Sequence, residues 1–171
     1  MKIEVSADGT LTYDSKALRC ALGHGGVKSH KTEGDGVTPV GCFQLRRILY
    51  RADRIARPET VLPVQPIKAT DGWCDDPTDP QYNKPVTLPY PARAETMWRE
   101  DGLYDLVVIL GHNDDPPVPS AGSAIFLHVA RPDYGPTEGC VAIALSDLRA
   151  FLKGCNETDQ ICVNAVGGSR R

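Results

Sequence analysis

Two residues carry most of the chemistry legible in this chain: His128, at the end of the apolar run AIFLHV, and Cys140, twelve positions later. Between them stand Pro132, Gly135, Pro136 and Gly139, turn formers that let two neighbouring strands bring an imidazole beside a thiol. A thiol is a weak nucleophile until an adjacent histidine takes its proton or stabilises its thiolate. Gly139 would admit a substrate close to the backbone, and amide N–H groups around Cys140 would form an oxyanion hole. The chemistry implied is acyl transfer through a thioester. Taken by themselves, a His and a Cys in apolar strands are more often core residues than a dyad.

Further candidates surround this pair. Arg131 could hold a carboxylate in a bidentate fork, and Tyr134, Thr137 and Glu138 sit in the same turn, Glu138 within reach of a substrate amine or capping the turn. His112 and Asn113 follow the apolar run LYDLVVIL and would rim the same cleft. Trp73, Tyr82 and Asn83 would stack on, or hydrogen-bond to, a glycan-linked peptide, or else pack their own loop onto the body. A zinc hydrolase built from His112, His128, Cys140 and Asp114 or Asp115 is a rival reading, but the spacing fits no compact metal motif. No metal and no cofactor is expected.

The stretch LHVARPDYGPTEGCVAI resembles the active-site signature of the YkuD-type L,D-transpeptidase catalytic domain. That signature runs from a strand histidine through a variable loop to Ser or Thr, His, Gly and the nucleophilic Cys. The matching positions are His128, Thr137, Glu138, Gly139 and Cys140, and upstream TPVGCF at 38–43 is similar to the family's TPxGxF segment. The resemblance spans residues 1–165 and leaves 166–171 as a tail. It implies a mostly β, sandwich-like or barrel-like domain with one or two short helices and a long loop as lid. It implies an enzyme that takes an acyl group from a peptidoglycan stem peptide and passes it to an amine or to water, as a monomer in the periplasm or cell envelope. Two positions depart from the pattern: Glu138 stands where the family usually has histidine, and Ala142 where it has Arg or Asn. Ala142 cannot bind an anion, which leaves Arg131 to supply that charge. If the departures abolish turnover, the domain becomes a cell-wall-binding module. The EGC variant, with GHNDDPPVP and DGWCDDP, resembles a compact alpha- and betaproteobacterial subgroup and implies cross-links from the first L-residue, L-Ala to meso-diaminopimelate.

The elements that must position these residues read as strands. Ile3, Val5, Leu11 and Tyr13 alternate around Asp8-Gly9, a two-residue hairpin signal, and Leu18, Cys20 and Leu22 continue the pattern. A turn-rich stretch from Gly34 to Gly41 enters a strand at Cys42–Leu45, and the basic stretch 46–57 suits a short helix or strand. Residues 58–94, rich in Pro, Asp and Tyr, read as one long loop, the candidate lid. Leu103–Leu110 reads as a buried central strand, followed by strands at 124–129, 139–144 and 160–164. Leu145, Leu148 and Leu152 recur at helical spacing, with Ser146 as N-cap and Gly154 as the stop.

Composition sets the outer bounds. At 171 residues with 41% hydrophobic and 24% charged, the chain suits one globular domain. A net charge of −3 excludes a general pull toward nucleic acid, and no apolar run is long enough to span a membrane. The amino terminus lacks a signal-peptide core. Six cysteines without a CxxC pair suggest mostly free, buried thiols.

Overall fold

Alternating apolar residues build the first hairpin: β1 (Lys2–Ser6) and β2 (Thr10–Tyr13) pair antiparallel, burying Ile3, Val5, Leu11 and Tyr13 on one face. Ser6 faces Thr10, so the turn holds three residues and not two, with Gly9 at φ 86°. A computed structural model of the chain describes residues 1–166; most of the expected tail, 167–171, lies outside them. The chain continues through β3 (Lys16–Arg19), β4 (Val27–Lys28), β5 (Thr38–Pro39) and the long β6 (Gly41–Tyr50). Then come β7 (Val64–Pro66), β8 (Asp71–Cys74), β9 (Pro85–Thr87), β10 (Ala94–Thr96), β11 (Leu106–Leu110), β12 (Phe126–Val129) and β13 (Val141–Ile143). Helix α1 (Leu145–Gly154) and β14 (Gln160–Asn164) close the described chain.

The main sheet is nine-stranded, ordered β13-β12-β11-β6-β14-β1-β2-β3, with β7 beside β6. Just past β3, Ala21 bridges Ala142 of β13, so the two ends of the sheet meet and the architecture is mostly β and barrel-like. The all-buried LVVIL of β11 lies between β6 and β12, the central place its unbroken apolar run predicts. β6 runs on to Tyr50, which makes the first part of the ambiguous basic stretch, 46–50, a strand and leaves 51–57 as turn and loop. Inside, Ile3, Val5, Ile48, Val108, Leu127 and Val141 meet Leu148, Phe151 and Leu152 of α1. The helix N-cap is Ala144, which makes no side-chain cap bond; Ser146 lies within the helix instead. Hence one α-helix is found among the described residues.

Residues 58–94 are not a bare loop. They hold β7, β8, β9 and the start of β10, and β10-β8-β9 form a separate three-stranded sheet. This small sheet lies on the outer face of β6, β11 and β12, where Trp73 and Met97 join Leu49, Val107, Ile109 and Phe126 in a second core. Cys42 and Cys162, register partners on β6 and β14, form a disulfide; Cys20, Cys74, Cys140 and Cys155 are free and buried.

Candidate active site

β12 and β13 run parallel with His128 opposite Ala142, so Phe126, His128, Cys140 and Ala142 share one face. That face looks outward, toward the small sheet, and not into the barrel. His128 and Cys140 both line a cleft of about 350 Å³, bounded also by Lys31, Glu95, Tyr104 and Arg131. Cys140 is 7% exposed and His128 5%, so each residue is enclosed, and both line the cleft.

The hydrogen bonds define their resting states. His128 Nδ1 lies 2.9 Å from Val129 O; a carbonyl only accepts, so Nδ1 carries the proton and Nε2 is the basic nitrogen. The Cys140 thiol donates to Ala124 O at 3.2 Å and accepts from Phe126 N–H at 3.4 Å; its partner is backbone, not the imidazole. Burial pushes the thiol up to about 12 against the pull of the Phe126 N–H. Burial likewise lowers His128 to about 4. Both groups are therefore neutral at pH 7. Tyr104 stacks edge-on against the imidazole at 5.3 Å and holds its outer face.

The turn before Cys140 is fastened from behind. Thr137 Oγ1 donates to Cys140 O at 2.7 Å and accepts from Gly139 N–H at 3.1 Å. The Gly139 amide is thus already engaged, which removes one of the expected oxyanion donors. Gly139 sits at φ 135°, and a Cβ there would lie 2.8 Å from Val37 O. Its smallness admits the protein's own backbone and not a substrate. Gly23 completes this crossing, since an added Cβ would collide with Gly36 O and lie 2.9 Å from Gly139 Cα. Thr38 Oγ1 accepts from Gly23 N–H at 2.8 Å. The two separate sequence motifs therefore meet directly behind Cys140.

Sequence reasoning missed Lys31. Its side chain is 6% exposed, Nζ bonds Asp35 at 2.6 Å, and the ammonium lies 3.5 Å from where a Gly139 Cβ would stand. Burial alone would raise the Asp35 carboxyl, but the Lys31 ammonium and the Thr32 and Val37 N–H groups hold it at about 2. A positive charge thus sits near the turn that carries Cys140, where neither Ala142 nor Glu138 supplies one. No spacing pattern marked it; only the pairing of β4 with β5 brings its segment there. Glu95 and Tyr104, also on the cleft, were equally invisible.

The other candidates divide. Arg131, Thr137 and Glu138 line the cleft, Glu138 as an exposed partner of His24 at 3.0 Å. Tyr134 does not line it and stacks under the Arg19 guanidinium at 4.5 Å. His112 packs edge-on against Phe43 at 5.4 Å, and Asn113 ties its own loop to Val118 and Gly122. Trp73, Tyr82 and Asn83 are buried, and their polar atoms serve the protein: Trp73 Nε1 donates to Asn83 Oδ1, Asn83 Nδ2 to the carbonyls of His112 and Asn113, and Tyr82 to Glu33. They seat the small sheet and leave the cleft to others. The residues of the zinc reading do not converge: Asp114 pairs with Arg46, and among the described residues no three His, Cys, Asp or Glu side chains could hold a metal.

The family model for the YkuD L,D-transpeptidase catalytic domain matches residues 2–163. No curated protein matches the chain. Among solved structures, an L,D-transpeptidase from Mycobacterium smegmatis is similar at 13% identity and TM-score 0.43, over 95% of this chain and 58% of that one, so this chain spans under two thirds of that protein. With a match that takes in TPVGCF, His128 and Cys140 alike, the chain belongs to the YkuD family of L,D-transpeptidase catalytic domains.

Proposed function

We propose that this chain is a cysteine acyltransferase acting on peptidoglycan stem peptides, with Cys140 as nucleophile and His128 as base. One observation carries the reading: a thiol and an imidazole face one open cleft from adjacent strands, with the Nδ1 proton held by Val129 O. The thiol turns from Ala124 O toward Nε2 and gives up its proton as sulfur attacks the carbonyl carbon of an L-residue. The oxyanion is received by the Cys140 N–H and the Lys31 ammonium, each donor worth a few kcal/mol. His128 then protonates the departing amine, leaving a thioester. An amine of a second stem peptide, or water, resolves it, giving a cross-link or a shortened stem. Arg131 and Glu138, at the cleft mouth, hold the charged ends of the peptide. The first L-residue as donor remains part of the proposal through the sequence resemblance. A cell-envelope location suits the substrate, and the Cys42–Cys162 bridge suits an oxidising compartment.

Intact-mass analysis with a carbapenem tests the nucleophile. The wild type should gain one adduct, mapped to Cys140, and Cys140→Ala none. A digest of muropeptides should reveal new dimers or shortened stems; binding without product would make the domain a wall-binding module.

A further inference from the structure

Glu95 lies on the inner face of the small sheet. It is the register partner of Trp73, whose side chain packs edge-on against Phe126, and cross-strand partners share a face. Glu95 therefore points at the body of the protein, where an apolar residue would cost nothing to bury. Its Oε1 accepts the Tyr104 hydroxyl at 3.0 Å, and it makes no salt bridge among the described residues. Its carboxyl faces the same cleft as His128 and Cys140, and Tyr104 joins it to the imidazole. Burial raises the carboxyl to about 7 against the Tyr104 bond, with Asp75 and Glu33 raising it further and Arg99 opposing them. A half-buried carboxylate on the cleft of Cys140, held by one hydroxyl and with no cation in salt-bridge contact among the described residues, is placed to take a cationic ligand.

We propose that Glu95 is the acceptor-binding residue of the second half-reaction, taking the ammonium of the incoming amine from the lid side of the cleft. This inference rests on the acyl-transfer reading above and deepens it. The acceptor arrives protonated and cannot attack until it loses a proton. Glu95 carboxylate takes that proton, leaving a neutral amine against the thioester. The nitrogen–carbon bond forms, the carbon–sulfur bond breaks, and the second amine proton passes through His128 to the departing Cys140 sulfur. Glu95 then releases its proton to solvent, so the cycle yields an amide, a free thiol and one proton. The Glu95 charge opposes the Cys140 thiolate. Acylation removes that conflict, since a thioester sulfur is neutral, and the site accepts a negative Glu95 most readily when an amine is needed.

The test is partition, because transferred and hydrolysed products arise from one acyl-enzyme. The full chain is acylated by a stem-peptide donor and offered propylamine, cationic at neutral pH, or hydroxylamine, uncharged there. Glu95→Gln should lower the propylamine-to-water ratio about tenfold and change the hydroxylamine ratio less than about twofold. Glu95→Asp, which keeps the charge, should recover most of the propylamine preference. Equal losses with both nucleophiles, an unaltered propylamine ratio, or an aspartate variant as impaired as glutamine would each overturn the proposal. Should the glutamine variant form no acyl-enzyme, the aspartate variant is read against the wild type, and loss of its propylamine preference overturns the proposal. Failure of the wild type to form an adduct at Cys140 would sink the acyl-transfer reading itself.

Discussion

At the scale of the residue, the proposed pair at 128 and 140 is neutral at rest, and pH separates it from a preformed ion pair. The thiol is pushed up to about 12 and the imidazole down to about 4, both by burial first. Raising the pH therefore ionises sulfur late, while lowering it charges His128 only near 4. Alkylation of Cys140 by iodoacetamide should climb without plateau from about pH 6 to about pH 10. Acylation should keep its acid limb near 4, well below the usual imidazole range. A plateau of alkylation below neutrality would reveal a thiolate–imidazolium pair instead. Lys31 is the second residue whose removal is informative. Lys31→Met should slow acylation about 10²- to 10³-fold, as loss of one oxyanion donor does, and Lys31→Arg should restore part of it. Single-turnover adduct formation followed by mass reads both. Equal rates in the methionine variant and the wild type would reduce Lys31 to a structural partner of Asp35.

Among elements, the small sheet over β6, β11 and β12 decides the shape of the cleft. Trp73 anchors it, 5% exposed, with its ring edge-on to Phe126 at 5.1 Å and its Nε1 bonded to Asn83. Trp73→Ala should cost about 3–5 kcal/mol and expose residues 58–94 to limited proteolysis, and Trp73→Phe should cost far less. A thermal melt with a protease time course checks this; an alanine variant as stable and resistant as the wild type would refute the anchor. Strands with strong local pattern were legible from the sequence: β1 and β2 from alternation, β11 from its apolar run, β14 from QICVN, and α1 from its leucine spacing. The small sheet was not, because its strands are three or four residues long and their pairing depends on partners as far apart as Gly72 and Thr96. The site divides likewise. His128, Gly139 and Cys140 share one short segment and could be read together, whereas Lys31 and Glu95 reach the cleft only through long-range pairing that no local spacing records. Trp73 and Asn83 looked like ligand contacts because aromatic and amide side chains serve packing and recognition equally well.

For the whole molecule, the Cys42–Cys162 bridge closes a sequence separation of 120 residues between strands already paired. Its removal in Cys42→Ser/Cys162→Ser should cost about 2–4 kcal/mol, mainly by freeing the unfolded chain. Activity at 25 °C should persist, since neither cysteine lines the cleft. Chemical denaturation compared with adduct formation measures both, and a variant whose stability matches the wild type would make the bridge dispensable. The contact of Ala21 with Ala142 has a different bearing. The sulfur gains its backing only when the two ends of the sheet have found each other across most of the chain, a slow, non-local event in folding. A newly made or partly collapsed chain thus carries a thiol without the folded turn that backs it. On the proposed reading, competence to acylate arrives with closure of the ring, and the thiol stays chemically silent until the architecture is complete.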